Sequence, residues 1–143
     1  MTGAAPQVSD FSELTKKSPA VRVLVVDDEP LIRWSLSETF MDRGFEVFEA
    51  SDGVGAIQWL VDPARPVDVV LLDYRLPDSR DLTLLAAVRR LAPHTPVILM
   101  TAYGTPDLAE GAKDLGAYRV ISKPFEMDDL ADLVLQACAA RLS

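Results

Sequence analysis

From Val21 onward the chain alternates between two hydrophobic patterns. Short β-branched runs (VRVLVVDDE, FEVFEA, PVDVVLLD, PVILM and AYRVIS) are each followed by a longer segment whose apolar residues fall three and four positions apart. The runs have the length and composition of strands, and Val69 to Leu72 shows no polar alternation, as expected for a strand covered on both faces. The segments between them read as helices. Ile32, Leu36 and Phe40 share one face of the first, and Leu130, Val134 and Ala137 share one face of the last. Pro30 suits a first helical turn, and Gly44 and Gly116 suit helix ends.

Five strand-helix units joined by short turns imply a parallel sheet with helices on both faces. The expected fold is therefore a doubly wound α/β (βα)5 sandwich of three layers, in the flavodoxin-like strand order 2-1-3-4-5. One domain over residues 21–143 accounts for the whole pattern, since 143 residues are too few for two comfortable cores. Residues 1–20 are polar and small, with Lys16-Lys17 and Ser18-Pro19 before the first run, and read as a flexible lead-in. Within it, Phe11 and Leu14 are the pair a short docking turn would use.

Composition removes several functions. A formal charge of −8 repels phosphate backbones and anionic lipid, so direct nucleic-acid binding and membrane binding are not expected. No run approaches the ~20 apolar residues of a membrane span, and the N-terminus lacks a continuous apolar leader core. A single cysteine, Cys138, forms no internal disulfide, and no Cys/His spacing suggests zinc. The expected compartment is the cytoplasm.

Candidate chemistry lies at the strand ends, where such sheets bind ligands. The first strand ends in Asp27-Asp28, the third in Asp73, the fourth in Met100-Thr101-Ala102 and the fifth in Ser122-Lys123-Pro124. Carboxylates brought within ~4–6 Å raise one another's pKa, and a divalent cation relieves that repulsion. An all-oxygen donor set without His or Cys points to Mg2+. Beside such an ion a carboxylate can act as nucleophile towards phosphorus, with Lys123 and Thr101 holding the other phosphoryl oxygens.

The motifs VLVVDDEP, VVLLDYRLP, ILMTAYG and ISKPF, in that order over residues 21–141, resemble the receiver (CheY-like) domain of two-component response regulators. The resemblance implies that Asp73 is the phosphoacceptor, loaded from the phosphohistidine of a sensor histidine kinase or a histidine phosphotransfer protein. It makes Asp27 and Asp28 the acidic pair, Asp28 on the metal directly and Asp27 through water, with the backbone carbonyl of Arg75 as a further Mg2+ ligand. Thr101 becomes the switch hydroxyl, Lys123 the phosphate-pairing lysine and Lys123-Pro124 a cis peptide bond. Output would pass through the fourth helix, fifth strand and fifth helix, a face that would also serve a homodimer. Such a module is a phosphorelay switch, with possible self-dephosphorylation, rather than a turnover enzyme. The wording TAYGT and DYRLPD is similar to receivers of transcriptional activators.

Two positions depart from that family. Val120, three before Lys123, stands where a Tyr or Phe is usual, leaving Tyr103 or Tyr118 as aromatic substitutes, with core packing favoured for Tyr118. Asp81, eight after Asp73, stands where Gly is usual. It or Ser79 would cap the next helix; the alternative is a charge near the site that repels anionic phosphodonors. These departures sustain a second reading, a receiver-like interaction module that works without phosphorylation. An aspartyl-phosphate phosphohydrolase usually needs a second carboxylate two residues after its nucleophile, where this chain has Arg75. A nucleotide site lacks its glycine-rich loop. Arg75 and Arg80 either steer anionic donors or are solvated loop charges. His94 reads as a surface loop residue, Cys138 as a packing residue, and Trp34 and Trp59 as half-buried helix residues, with Trp34 the one that could reach a partner.

Overall fold

The computed structural model describes residues 20–142. The lead-in expected over residues 1–20, with Phe11 and Leu14, lies outside them except for the exposed Ala20. Strand β1 (Arg22–Val26) is followed by helix α1 (Pro30–Asp42), β2 (Glu46–Ala50), α2 (Gly53–Leu60), β3 (Val69–Asp73), α3 (Thr83–Leu91), β4 (Val97–Thr101), α4 (Pro106–Asp114), β5 (Arg119–Ser122) and α5 (Met127–Leu142). The strands form one sheet in the order β2-β1-β3-β4-β5, every pairing parallel. The expected fold and strand order are both present.

The lack of polar alternation in the central strands follows from their two covered faces. Leu24, Val26, Val70, Leu72 and Leu99 point to one side, where they pack with Ala56 of α2, Leu85 and Val88 of α3 and Ala112 of α4. The intervening Val23, Val25, Val69, Leu71, Ile98 and Met100 point to the other, against Leu36 and Phe40 of α1 and Leu130, Ala131, Val134 and Ala137 of α5. Each large side chain so buried contributes roughly 1.5–3 kcal/mol. The edge strands β2 and β5 keep exposed residues at their ends, such as Glu46 and Arg119, because each has one neighbour only.

Local signals set the element ends. Pro30 opens α1 at a position whose N–H needs no partner. Gly44 and Gly116 take φ of 84° and 97°, the left-handed region that ends a helix. There the N–H of Phe45 donates to Phe40 O and that of Ala117 to Ala112 O, each at 3.0 Å. Tyr118 and Cys138 pack half-buried against the α1/α5 side of the sheet. His94 is exposed. Trp59 stacks on Phe48 at 4.7 Å and donates its indole N–H to Glu49 O, whereas Trp34 is 60% exposed, more open than the half-buried position expected of it.

Candidate functional site: an acidic pocket at the carboxyl edge of the sheet

The parallel register carries four strand ends to one edge. Val26 pairs with Leu72 and Asp73 with Met100, while Thr101 pairs with Ser122. Asp27, Asp73, Thr101 and Lys123 therefore emerge side by side from β1, β3, β4 and β5. Their backbones are fixed: the N–H of Asp27 donates to Ala50 O, that of Tyr74 to Met100 O and that of Lys123 to Thr101 O. The Lys123-Pro124 bond is cis.

The Lys123 ammonium binds the pocket together. Its Nζ lies 3.1 Å from Asp27 Oδ2, 3.2 Å from Asp73 Oδ2 and 3.3 Å from Glu29 Oε1. Asp27 is fully buried and Asp73 almost so, while Glu29 reaches in from the solvent side. Burial, and then the charge of Asp27, push the Asp73 carboxyl up to about 6, although Lys123 and the Arg75 N–H oppose the shift. Burial alone would lower Lys123; Asp27 and Asp73 outweigh it and hold the ammonium above its ordinary range. Three carboxylates share one lysine, so the pocket carries excess negative charge in a half-dry setting, a donor set suited to a hard divalent cation.

Oxygens of Asp27, Glu29 and Asp73 lie within 4.8 Å of one another. Asp28 is exposed and stands outside that cluster, whose third member is Glu29. Arg75 donates its N–H to Asp73 Oδ1 at 3.3 Å and turns its side chain to solvent. Thr101 is buried, and its hydroxyl accepts the Tyr103 N–H at 3.2 Å. Tyr103 itself is 76% exposed. Val120 packs half-buried on the side of the sheet that holds Leu99 and Ala112.

Three further residues shape the site. Glu29 donates its N–H to Asp27 Oδ1 at 2.9 Å; its place directly after the acidic pair was the available signal. Arg33, one helical turn beyond Glu29, donates to Asp27 O at 2.6 Å and pairs with Glu49. Asp78, in the loop after Asp73, accepts the N–H groups of Gly53 and Val54 at 2.8 and 3.1 Å. Those bonds, Gly53 first, hold its carboxyl below the usual range and fasten the loop to the start of α2. A partner 25 residues away leaves no mark in the sequence.

The loop also corrects one expectation. Neither Asp81 nor Ser79 occupies the N-cap of α3, which is Leu82 with no side-chain cap bond. Asp81 sits one position earlier and accepts the Thr83 N–H at 2.8 Å, while Ser79 exchanges backbone bonds with Leu76. Asp81 lines a cavity of about 580 Å³ between α2 and α3 with Val54, Ile57 and Leu84, and is not among the carboxylates around Lys123.

The sequence matches the response regulator receiver domain family over residues 23–135. It is 37% identical over 113 residues to sporulation initiation phosphotransferase F of Bacillus subtilis, covering 79% of this chain and 90% of that protein. It is 40% identical over 116 residues to the regulatory protein AtoC of Escherichia coli, covering 81% of this chain but 25% of that protein. The crystal structure of the receiver domain of NtrX from Brucella abortus superposes with a TM-score of 0.73 at 35% identity, over 82% of this chain and 98% of that one. With the acidic pocket, the buried threonine and the lysine all at one sheet edge, the chain belongs to the receiver domains of two-component response regulators. Among the described residues no helix is long and apolar enough to cross a membrane.

Proposed function

We propose that Asp73 is the phosphoacceptor and that the observation carrying this reading is the Lys123 ammonium bridging Asp27 and Asp73 at 3.1 and 3.2 Å. A carboxylate oxygen of Asp73 attacks the phosphorus of a phosphohistidine on a sensor histidine kinase or histidine phosphotransfer protein. The P–N bond breaks, and its electron pair leaves with the imidazole, giving an acyl phosphate on Asp73. Lys123 already stands 3.2 Å from Asp73 Oδ2, and can pair with the phosphoryl group of the acyl phosphate without a large movement. The Thr101 hydroxyl accepts from Tyr103 and keeps its own hydrogen to donate to a phosphoryl oxygen.

Mg2+ fits the pocket: the donors are all oxygen, and burial, with the charge of Asp27 second, already raises the Asp73 carboxyl. Asp27 and Asp73 would hold it, with Glu29 beside them in the oxygen cluster; the family resemblance adds Asp28, from the solvent side, and the Arg75 carbonyl, and when bound the ion would neutralise charge on the transferring phosphoryl group.

The phosphoryl group biases two conformations through Thr101, whose movement frees the Tyr103 N–H and shifts the loop towards α4. Output then passes through the α4-β5-α5 face, which is also the proposed homodimer surface. Relatives named as transcriptional or regulatory proteins support an output in transcription, the protein acting in the cytoplasm as a switch rather than as a turnover enzyme. The test is transfer from a phosphorylated histidine kinase or phosphotransfer protein: label should move to this protein with Mg2+ and fail to move with excess chelator. Equal transfer under both conditions would contradict the metal assignment.

A further inference from the structure

Resting on that function, we propose that Glu29 determines phosphodonor selectivity: its carboxylate at the mouth of the pocket disfavours free donors in proportion to their negative charge. The other carboxylates around Lys123 are buried, and Glu29 alone of the three is open to solvent, with 57% of its side chain exposed. A cavity of about 450 Å³ runs beside it, lined by Ile32, Pro124, Phe125 and Met127 in addition to Glu29 and Lys123. Four of those six lining residues are apolar. Lys123, the cation lining this cavity, is already shared with two buried carboxylates, so Glu29 adds a third negative charge on the solvent side of the approach.

Its position is enforced. The Glu29 N–H is held by Asp27 Oδ1, and its carbonyl accepts the Arg33 N–H at 3.0 Å. The backbone is thus tied at both ends, and the side chain leans on Lys123 at 3.3 Å. A phosphoryl group reaching Asp73 by this route meets the Glu29 charge before it gains Lys123, over a distance at which charges at a protein surface still interact. A partner-borne phosphohistidine brings compensating protein contacts, whereas a small free dianion does not.

Two small donors separate charge from other effects. With acetyl phosphate, a dianion, Asp73 oxygen attacks phosphorus and acetate leaves with the electron pair of the broken P–O bond. With phosphoramidate, a monoanion at neutral pH, the same attack releases ammonia with the electron pair of the P–N bond. Mg2+ affinity enters both rates alike and cancels in their ratio. In Glu29→Gln the rate with acetyl phosphate relative to phosphoramidate should rise by about threefold or more at low salt and return towards the parent ratio at ~1 M salt. Glu29→Asp, which keeps the charge, should preserve the parent ratio. Mg2+ affinity titrated by calorimetry without any donor should weaken in Glu29→Gln and be retained in Glu29→Asp. An unchanged ratio in Glu29→Gln, or an equal change in Glu29→Asp, overturns the inference while leaving Asp73 as acceptor. A parent protein that takes phosphate neither from these donors nor from a phosphorylated histidine kinase or phosphotransfer protein overturns the functional reading and this inference together.

Discussion

Lys123 and Asp73, fifty positions apart in sequence, meet at 3.2 Å between Nζ and Oδ2. The contact exists because β3 and β5 flank β4 in parallel register, so that both residues leave the sheet at the same edge. It leaves a buried carboxylate stabilised by one shared ammonium and opposed by Asp27, and stability should report that imbalance.

The Asp73 carboxyl titrates at about 6 in the folded protein, against roughly 4 for a free Asp. The folded state therefore binds the proton more tightly. Stability falls as pH rises from about 4 through 6, and the full cost is present above that window. Asp73→Asn removes the charge and should be more stable than the parent by about 1–3 kcal/mol at pH 7 in chelator. The difference should shrink towards zero at pH 4. Urea denaturation at the two pH values measures both numbers.

Asp78 ties the loop after Asp73 to α2 through Gly53 and Val54. Its depressed pKa means a contribution that is present above the ordinary Asp pKa and lost as pH falls through the folded value. Asp78→Ala should cost about 1 kcal/mol at neutral pH, in the range of a lost helix cap. Amide exchange resolves the location: Gly53 and Val54 should exchange faster, while Gly55, capped by Asp52, should change least.

A Cβ on Gly104 would lie 2.6 Å from Ser122 Oγ, so the loop after Thr101 is seated directly on the residue before Lys123. Ser122 is exposed and its hydroxyl can turn away, so Gly104→Ala should destabilise by about 1 kcal/mol, the low end of overpacking. Removing the opposing hydroxyl should relieve it. In a double-mutant cycle with Ser122→Ala, more than half of the loss should be recovered; additive losses would show that the two residues do not couple.

Ser37 on α1 is buried, and its Oγ has no hydrogen-bond partner among the described residues. Ser37→Ala removes an unpaired hydroxyl and adds helix propensity, so it should be neutral to stabilising, by up to about 1 kcal/mol. Thermal denaturation checks the sign, and a clear loss of stability would show that the hydroxyl is in use.

The layering was legible because a strand covered twice must be apolar at every position, as Val69 to Leu72 are, and because Pro30, Gly44 and Gly116 mark helix ends by their backbone preferences. The co-location of Asp27, Asp73, Thr101 and Lys123 followed from strand order. Contacts made by side chains across loops did not follow. Glu29 rather than Asp28 joins the oxygen cluster because the chain turns into α1 there, and the Glu29 N–H closes onto Asp27. The residue types favour Asp81 or Ser79 as the cap of α3, but the helix begins at Thr83, one residue later than an Asp81 cap requires, and Leu82 takes the cap position. Asp78 finds its partners on α2 only once the fold has formed.

The central claim is the identity of the acceptor. The protein is incubated with Mg2+ and acetyl phosphate, its intact mass is recorded, and the acyl phosphate is reduced with borohydride so that the modified residue can be mapped. One phosphoryl group per chain, mapped to Asp73 and missing from Asp73→Asn, is the predicted result. A phosphoryl group that maps elsewhere, or that Asp73→Asn takes up as readily as the parent, would contradict it.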